Sequence, residues 1–162
     1  MVLRGGQPPV GFTLVELLIT VVIVSLLATA ALPMTELTVK RGHEQELRTA
    51  LRQIREAIDA YKHAADQGRV PKAADESGYP KNLDLLVEGV VDIKDPNQHK
   101  IYFLRQLPGN PFWPDSDTPP AATWGKRSYE SSHDDPQEGS DVFDVYVPSL
   151  DIGLNGIPYR EW

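Results

Sequence analysis

Glu16 is the residue with the most demanding chemistry in this sequence, because it is the only charged side chain in the run GFTLVELLITVVIVSLLATAALP, Gly11 to Pro33. An ionised carboxylate in an apolar environment costs several kcal/mol, so Glu16 requires a cationic partner or a place near the polar edge of the apolar layer. Other reactive groups are scattered. The four histidines, His43, His63, His99 and His133, fall in separate stretches with no paired-ligand spacing. There is no cysteine, hence no thiol nucleophile, thiolate metal site or disulfide. No G-x-S-x-G elbow or phosphate-binding glycine loop occurs. Asp134 and Asp135 adjoin Pro136 and lie close to Gly139, the composition of a solvated loop rather than of an acid–base pair. The residues point away from an enzyme.

Composition sets the same limits. The chain has 162 residues, 41% hydrophobic and 24% charged, enough for one modest folded domain beside an anchor. Its formal net charge of −7 excludes a basic footprint for nucleic acid.

The element that must carry Glu16 is the apolar run itself. Leu17 to Thr35 contains no charge, and as a helix it approaches the roughly 30 Å of bilayer hydrocarbon. A secretory signal peptide is the alternative, with ATAALP as a small-residue cleavage site. Before the run, MVLRGGQPPVG carries Arg4 as its single charge and two adjacent prolines, as a leader would. Pro33 removes one helical hydrogen bond and predicts a kink near residues 29–33 rather than the end of the helix. Beyond it Leu47, Leu51, Ile54, Ile58 and Tyr61 recur in steps of four and three, with charges mostly off that line. This seam is too short for a coiled coil and predicts a helix packed on its own domain, with Gly42 a weak point and Gly68 and Pro71 the terminator.

Loops prevail afterwards. Asn82 is placed to cap a short helix that turns Leu83, Leu86 and Val87 inward and stops at Gly89. SYES, residues 128–131, and DVFDVYV, residues 141–147, are the two strand-like stretches, so the sheet must be small and antiparallel. In the second, Val142, Asp144 and Tyr146 share one face and Phe143, Val145 and Val147 the other, with the acidic SSHDDPQEGSD as the connecting loop.

The sequence GFTLVELL, followed by an uncharged run and Pro33, resembles the class III signal of type IV pilins and type II secretion pseudopilins. The resemblance implies cleavage by prepilin peptidase between Gly11 and Phe12, N-methylation of Phe12, and Glu16 as the fifth residue of the mature chain. It also supplies a partner for Glu16: in a staggered stack of parallel helices, its carboxylate meets the Phe12 amine of a neighbouring subunit. Each charge offsets the other's burial, and an unpaired one is strongly unfavourable. Glu16 and Pro33 are therefore the residues expected to serve assembly.

YPKNLDLLV, FLRQLPGNPF and DVFDVYV, in that order, extend the resemblance to the major pseudopilin of type II secretion. It implies an α+β, pilin-like fold: a cleaved leader at 1–11, an N-terminal helix at 12–66 and a globular domain at 67–162. Within the helix, 12–35 would cross the membrane or form the filament core and 36–66 would be amphipathic. The implied protein is a single-pass subunit of the bacterial inner membrane with a periplasmic C-terminal domain. Its partners are further copies in a helical filament, prepilin peptidase, other pseudopilins and the assembly platform. A type IV pilus subunit, a minor pilin or pseudopilin, and a membrane-anchored periplasmic binding or adhesion module are the alternatives.

The sequence departs from this branch after the last strand. Major pseudopilins carry Ser-Leu-Gly-Ala-Asp-Gly and a calcium loop there, whereas this chain has PSLDIGLNGIPYREW. Asp144, Ser149, Asp151 and Asn155 could supply some of the six to eight oxygens calcium requires, but Asn155-Gly156 replaces the Asp-Gly step and removes a charge. The other reading of Gly153 and Gly156 is a tight turn that lets Tyr159 and Trp162 pack back on the domain.

Overall fold

The computed structural model describes residues 11–162, and for 30–35 the backbone alone. The leader expected at 1–11 therefore lies outside the described residues except for Gly11. The chain divides into two units between Lys40 and Arg41.

Helix α1, Leu14–Asp66, runs through both units. It continues past Pro33 and Gly42, so Pro33 lies inside the helix rather than at its end; the Pro33 side chain lies outside the described residues. In the second unit the predicted seam is the core: Leu47, Leu51, Ile54, Ile58 and Tyr61 are all buried, joined by Ala50, Ala57, Ala64 and Ala65 where close approach needs a small side chain. Each large apolar side chain so buried contributes about 1.5–3 kcal/mol. The helix ends in a Schellman motif, with the amides of Gly68 and Arg69 donating to the carbonyls of Ala65 and Ala64 at 2.9 Å each. Gly68 takes φ +66°, a conformation that a side chain would strain.

Short elements wrap this seam. Helix α2, Leu85–Glu88, begins where the Leu85 amide donates to Asn82 Oδ1 at 3.0 Å and stops at Gly89, φ +73°. Leu83 and Leu86 are fully buried, as their spacing predicts. Strands β1, Val90–Val91, and β2, Lys100–Ile101, form one antiparallel pair, with Val90 opposite Ile101. Strands β3, Gly125–Arg127, and β4, Asp144–Tyr146, form the other, with Gly125 opposite Tyr146 and Arg127 opposite Asp144. A 3₁₀ turn at Tyr159–Glu161 follows an isolated bridge between Ile152 and Pro158. The result is the expected α+β architecture, a long N-terminal helix with small antiparallel sheets and long loops.

Three details differ from the sequence reading. The strand expected at 128–131 instead occupies Gly125–Arg127, the three residues before it, because Ser128 Oγ and the Tyr129 amide both donate to Asp141 Oδ1 at 2.9 Å. Ser77 Oγ donates to the other oxygen of that carboxylate, which together form a polar knot instead of a ladder. The β1–β2 pair was not expected; its strands are two residues each, too short for alternation to register. Val142 is buried together with Val145 and Val147, because it precedes the ladder and its amide donates to Pro80 O at 2.8 Å.

Candidate functional site

In the first unit, Gly11 and Phe12 precede α1 and are exposed, Phe12 by 79%. Thr13 caps the helix. Its Oγ1 accepts the Glu16 amide at 3.2 Å and its carbonyl accepts the Leu17 amide at 3.1 Å. Thr13-Leu14-Val15-Glu16 is thus a T-x-x-E capping sequence, a signal that sequence reading missed although its spacing was visible. Glu16 lies in the first turn, where the unpaired amides of the helix end favour a negative charge. The Glu16 side chain is exposed.

From Leu14 to Thr29 every side chain is exposed, on all faces of the helix. The hydroxyls in this stretch turn inward onto their own backbone: Thr20 donates to Leu17 O at 2.9 Å, Ser25 to Val21 O at 2.7 Å and Thr29 to Ser25 O at 2.6 Å. These bonds leave an outer surface that behaves as apolar despite three hydroxyl residues. A helix apolar all round is stable only when lipid or other helices cover it. Among the described residues, no helix is long and apolar enough to cross a membrane; the span expected at 12–35 includes 30–35, whose side chains lie outside that set.

In the second unit the four residues considered as possible calcium donors, Asp144, Ser149, Asp151 and Asn155, do not form one donor set among the described residues. Asp144 Oδ1 accepts Arg55 Nε at 2.8 Å, and its Oδ2 lies 3.5 Å from Arg127 Nη2. Ser149 Oγ donates to Asp151 Oδ2 at 2.8 Å, and Asn155 Oδ1 accepts the Ile157 amide at 3.0 Å, closing its own turn. Among the described residues no group of three or more acidic, histidine or cysteine side chains is arranged to hold a metal. The carboxylate of Asp144 is already neutralised by guanidinium groups, so the donor chemistry does not fit calcium.

The tight-turn reading describes this segment better. The Gly156 amide donates to Gly153 O at 2.9 Å with Gly156 at φ +79°. A Cβ on Gly153 would stand 2.5 Å from the Trp162 ring, so glycine is what lets that ring close on the turn. Tyr159 is buried, stacks on Phe112 at 4.6 Å between ring centroids, and meets Trp162 edge-on at 5.0 Å. Two groups that sequence reading missed hold this end in place: Glu44, which accepts the Tyr159 hydroxyl, and Arg55. Both look like members of the charged face of α1, and only their long-range partners distinguish them. The histidines stay apart: His43 lies edge-on to Phe112, His63 contacts Gln67 and His99 pairs with Asp95.

A family model for the prokaryotic N-terminal methylation motif matches residues 11–32. No curated protein and no solved structure matches the chain. The match begins at Gly11 and takes in Phe12, Thr13, Glu16 and most of the helical stretch that is apolar on all faces. The N-terminal part of this chain therefore carries the prokaryotic N-terminal methylation motif, which implies prepilin peptidase processing, methylation and pilin-like assembly.

Proposed function

We propose that this chain is a structural subunit of a type II secretion pseudopilus, not a catalyst. Prepilin peptidase cuts between Gly11 and Phe12, and the new Phe12 amine is methylated. The N-terminal helix holds the subunit in the bacterial inner membrane with residues 40–162 on the periplasmic side. Polymerisation with other pseudopilins on the assembly platform then builds a filament that drives export across the outer membrane.

The observation that carries this reading is the helix from Leu14 to Thr29, exposed on every face with Glu16 as its only charge. Such a surface needs a cover, and one carboxylate at its start needs one cation. Parallel copies of the same helix supply both, the cation being the Phe12 amine created by cleavage. Removal of the leader takes away Arg4 and leaves the chain one unit more negative than −7, so the outer domains repel at long range. The helices and short-range contacts must provide the cohesion.

The choice of the secretion branch rests on YPKNLDLLV, FLRQLPGNPF and DVFDVYV, which supply α2, the loop carrying Leu107 and Pro108, and β4. One observation favours a type IV pilus subunit or a minor pseudopilin instead: Asp144 is paired with arginine where the major branch is expected to hold calcium. The test is the N-terminal sequence and intact mass of protein from native membranes, followed by deletion of its gene. A methylated Phe12 terminus with lost export supports the proposal. The same terminus with lost surface pili and normal export selects the pilus, and an unprocessed chain indicates an anchored binding or adhesion module.

A further inference from the structure

The Arg55 side chain joins α1, β4 and Trp162. Its Nε donates to Asp144 Oδ1 at 2.8 Å, while Nη2 donates to Val145 O at 3.1 Å and to Trp162 O at 2.7 Å. One side-chain carboxylate oxygen and two main-chain oxygens therefore converge on a single cation. These are the oxygen types that calcium collects, although calcium would need about six to eight of them. Arg127 approaches the second oxygen of Asp144, at 3.5 Å, and brings another positive charge to the same place. A divalent ion at Asp144 would have to share its carboxylate with Arg55 and stand beside Arg127. Ser149, Asp151 and Asn155 offer no compensating set, since each is engaged within its own turn.

The guanidinium has two properties that suit it to this position. It keeps its charge at every physiological pH, and its fork of donors fixes the direction of each acceptor. Arg48 adds a second hold from the same helix, its guanidinium lying 4.4 Å from the centre of the Trp162 ring.

We propose that Arg55 is the built-in cation of this domain, gathering β4 and residue 162 onto α1 so that the segment 149–162 keeps its place without calcium. The inference concerns the domain alone and does not depend on which filament the chain joins.

The test uses the full chain in detergent, monitored by thermal unfolding and by amide hydrogen exchange, in millimolar calcium and in chelator. The wild-type midpoint and the protection of 149–162 should be the same in both. Arg55→Gln should raise exchange in 149–162 at least tenfold while the Leu47–Ile58 core stays protected, with Arg55→Lys intermediate because it keeps the charge and loses the fork. A wild-type midpoint that rises with calcium, or falls with chelator, would overturn the proposal; so would unchanged exchange in Arg55→Gln. If Arg55→Gln does not fold, the wild-type comparison and Arg55→Lys still decide.

Discussion

The Tyr159 hydroxyl donates to Glu44 Oε1 at 3.0 Å, and the same oxygen accepts the Leu154 amide at 2.7 Å. One buried carboxylate on α1 thus fastens both the turn at 153–156 and the 3₁₀ turn after it. Tyr159→Phe keeps the stack on Phe112 and removes one hydrogen bond to a charged group, which should cost about 1.5–3 kcal/mol in denaturant unfolding. Burial first, and then the neighbouring Glu44 carboxylate, push the Tyr159 hydroxyl up to about 12 from 10.0. A raised value means that the folded state holds the proton more tightly. The stability linked to Tyr159 is therefore complete below pH 10 and lost as pH rises towards about 12. An ultraviolet difference titration should show one fewer late-titrating tyrosine in Tyr159→Phe, and an unchanged alkaline limb would refute the assignment.

Glu16→Leu and Glu16→Ala should insert and be cut between Gly11 and Phe12, yet form filaments poorly. Each variant leaves the Phe12 amine of a neighbour without its counter-charge when helices stack. The Thr13 hydroxyl accepts from the backbone amide of residue 16, which both changes keep, so loss of this cap is not the cause. Electron microscopy and the yield of sheared filaments measure assembly, and intact mass measures processing. Wild-type filament yield in either variant would remove the registry role of Glu16.

Asp92 accepts Arg69 Nε and Nη2 on one oxygen, at 2.9 and 2.7 Å, and the Lys94 amide on the other at 3.0 Å. The Arg69 bonds, with a smaller contribution from the Lys94 amide, hold its carboxyl below the usual value of 3.8. A lowered value gives stability that is present above pH 3.8 and lost as pH falls through the folded value. Asp92→Asn should remove this part of the acid limb and lower stability at neutral pH. Unfolding curves collected through the acid range would show the flattened limb, and an acid limb identical to wild type would count against the pairing.

Gly125 lies opposite Tyr146, and a Cβ there would stand 2.4 Å from the Tyr146 ring. The ring covers the glycine across the β3–β4 pair, so even one methyl group must displace it. Gly125→Ala should destabilise the domain by about 1–3 kcal/mol. In a Tyr146→Ala background the same change should cost much less, and a double-mutant cycle that gave simple additivity would rule out the contact.

Much of this protein was legible in local patterns. The seam Leu47, Leu51, Ile54, Ile58 and Tyr61 reads as a helix face because burial on a helix repeats every three to four residues, and all five are buried. Asn82 and Gly89 mark α2 because a capping side chain and a positive φ are local requirements. The signal around Gly11, Phe12 and Glu16 is contiguous, and the family match to residues 11–32 depends on no tertiary contact.

The sequence could not assign partners across long separations. Glu44 and Tyr159, Arg55 and Asp144, and Asp141 with Ser77 are joined over 115, 89 and 64 residues. A charge on the solvent-facing side of a helical pattern looks the same whether or not a distant loop returns to it. That return decided that Asp144 is held by arginine, and that Ser128 and Tyr129 serve a polar knot instead of the ladder. The sequence by itself determined which segments are helical, which are apolar and where the methylation motif lies, because those properties depend on neighbours along the chain. Only the tertiary structure decided which charges are tied together, because that depends on the packing that brings 141–162 back onto α1.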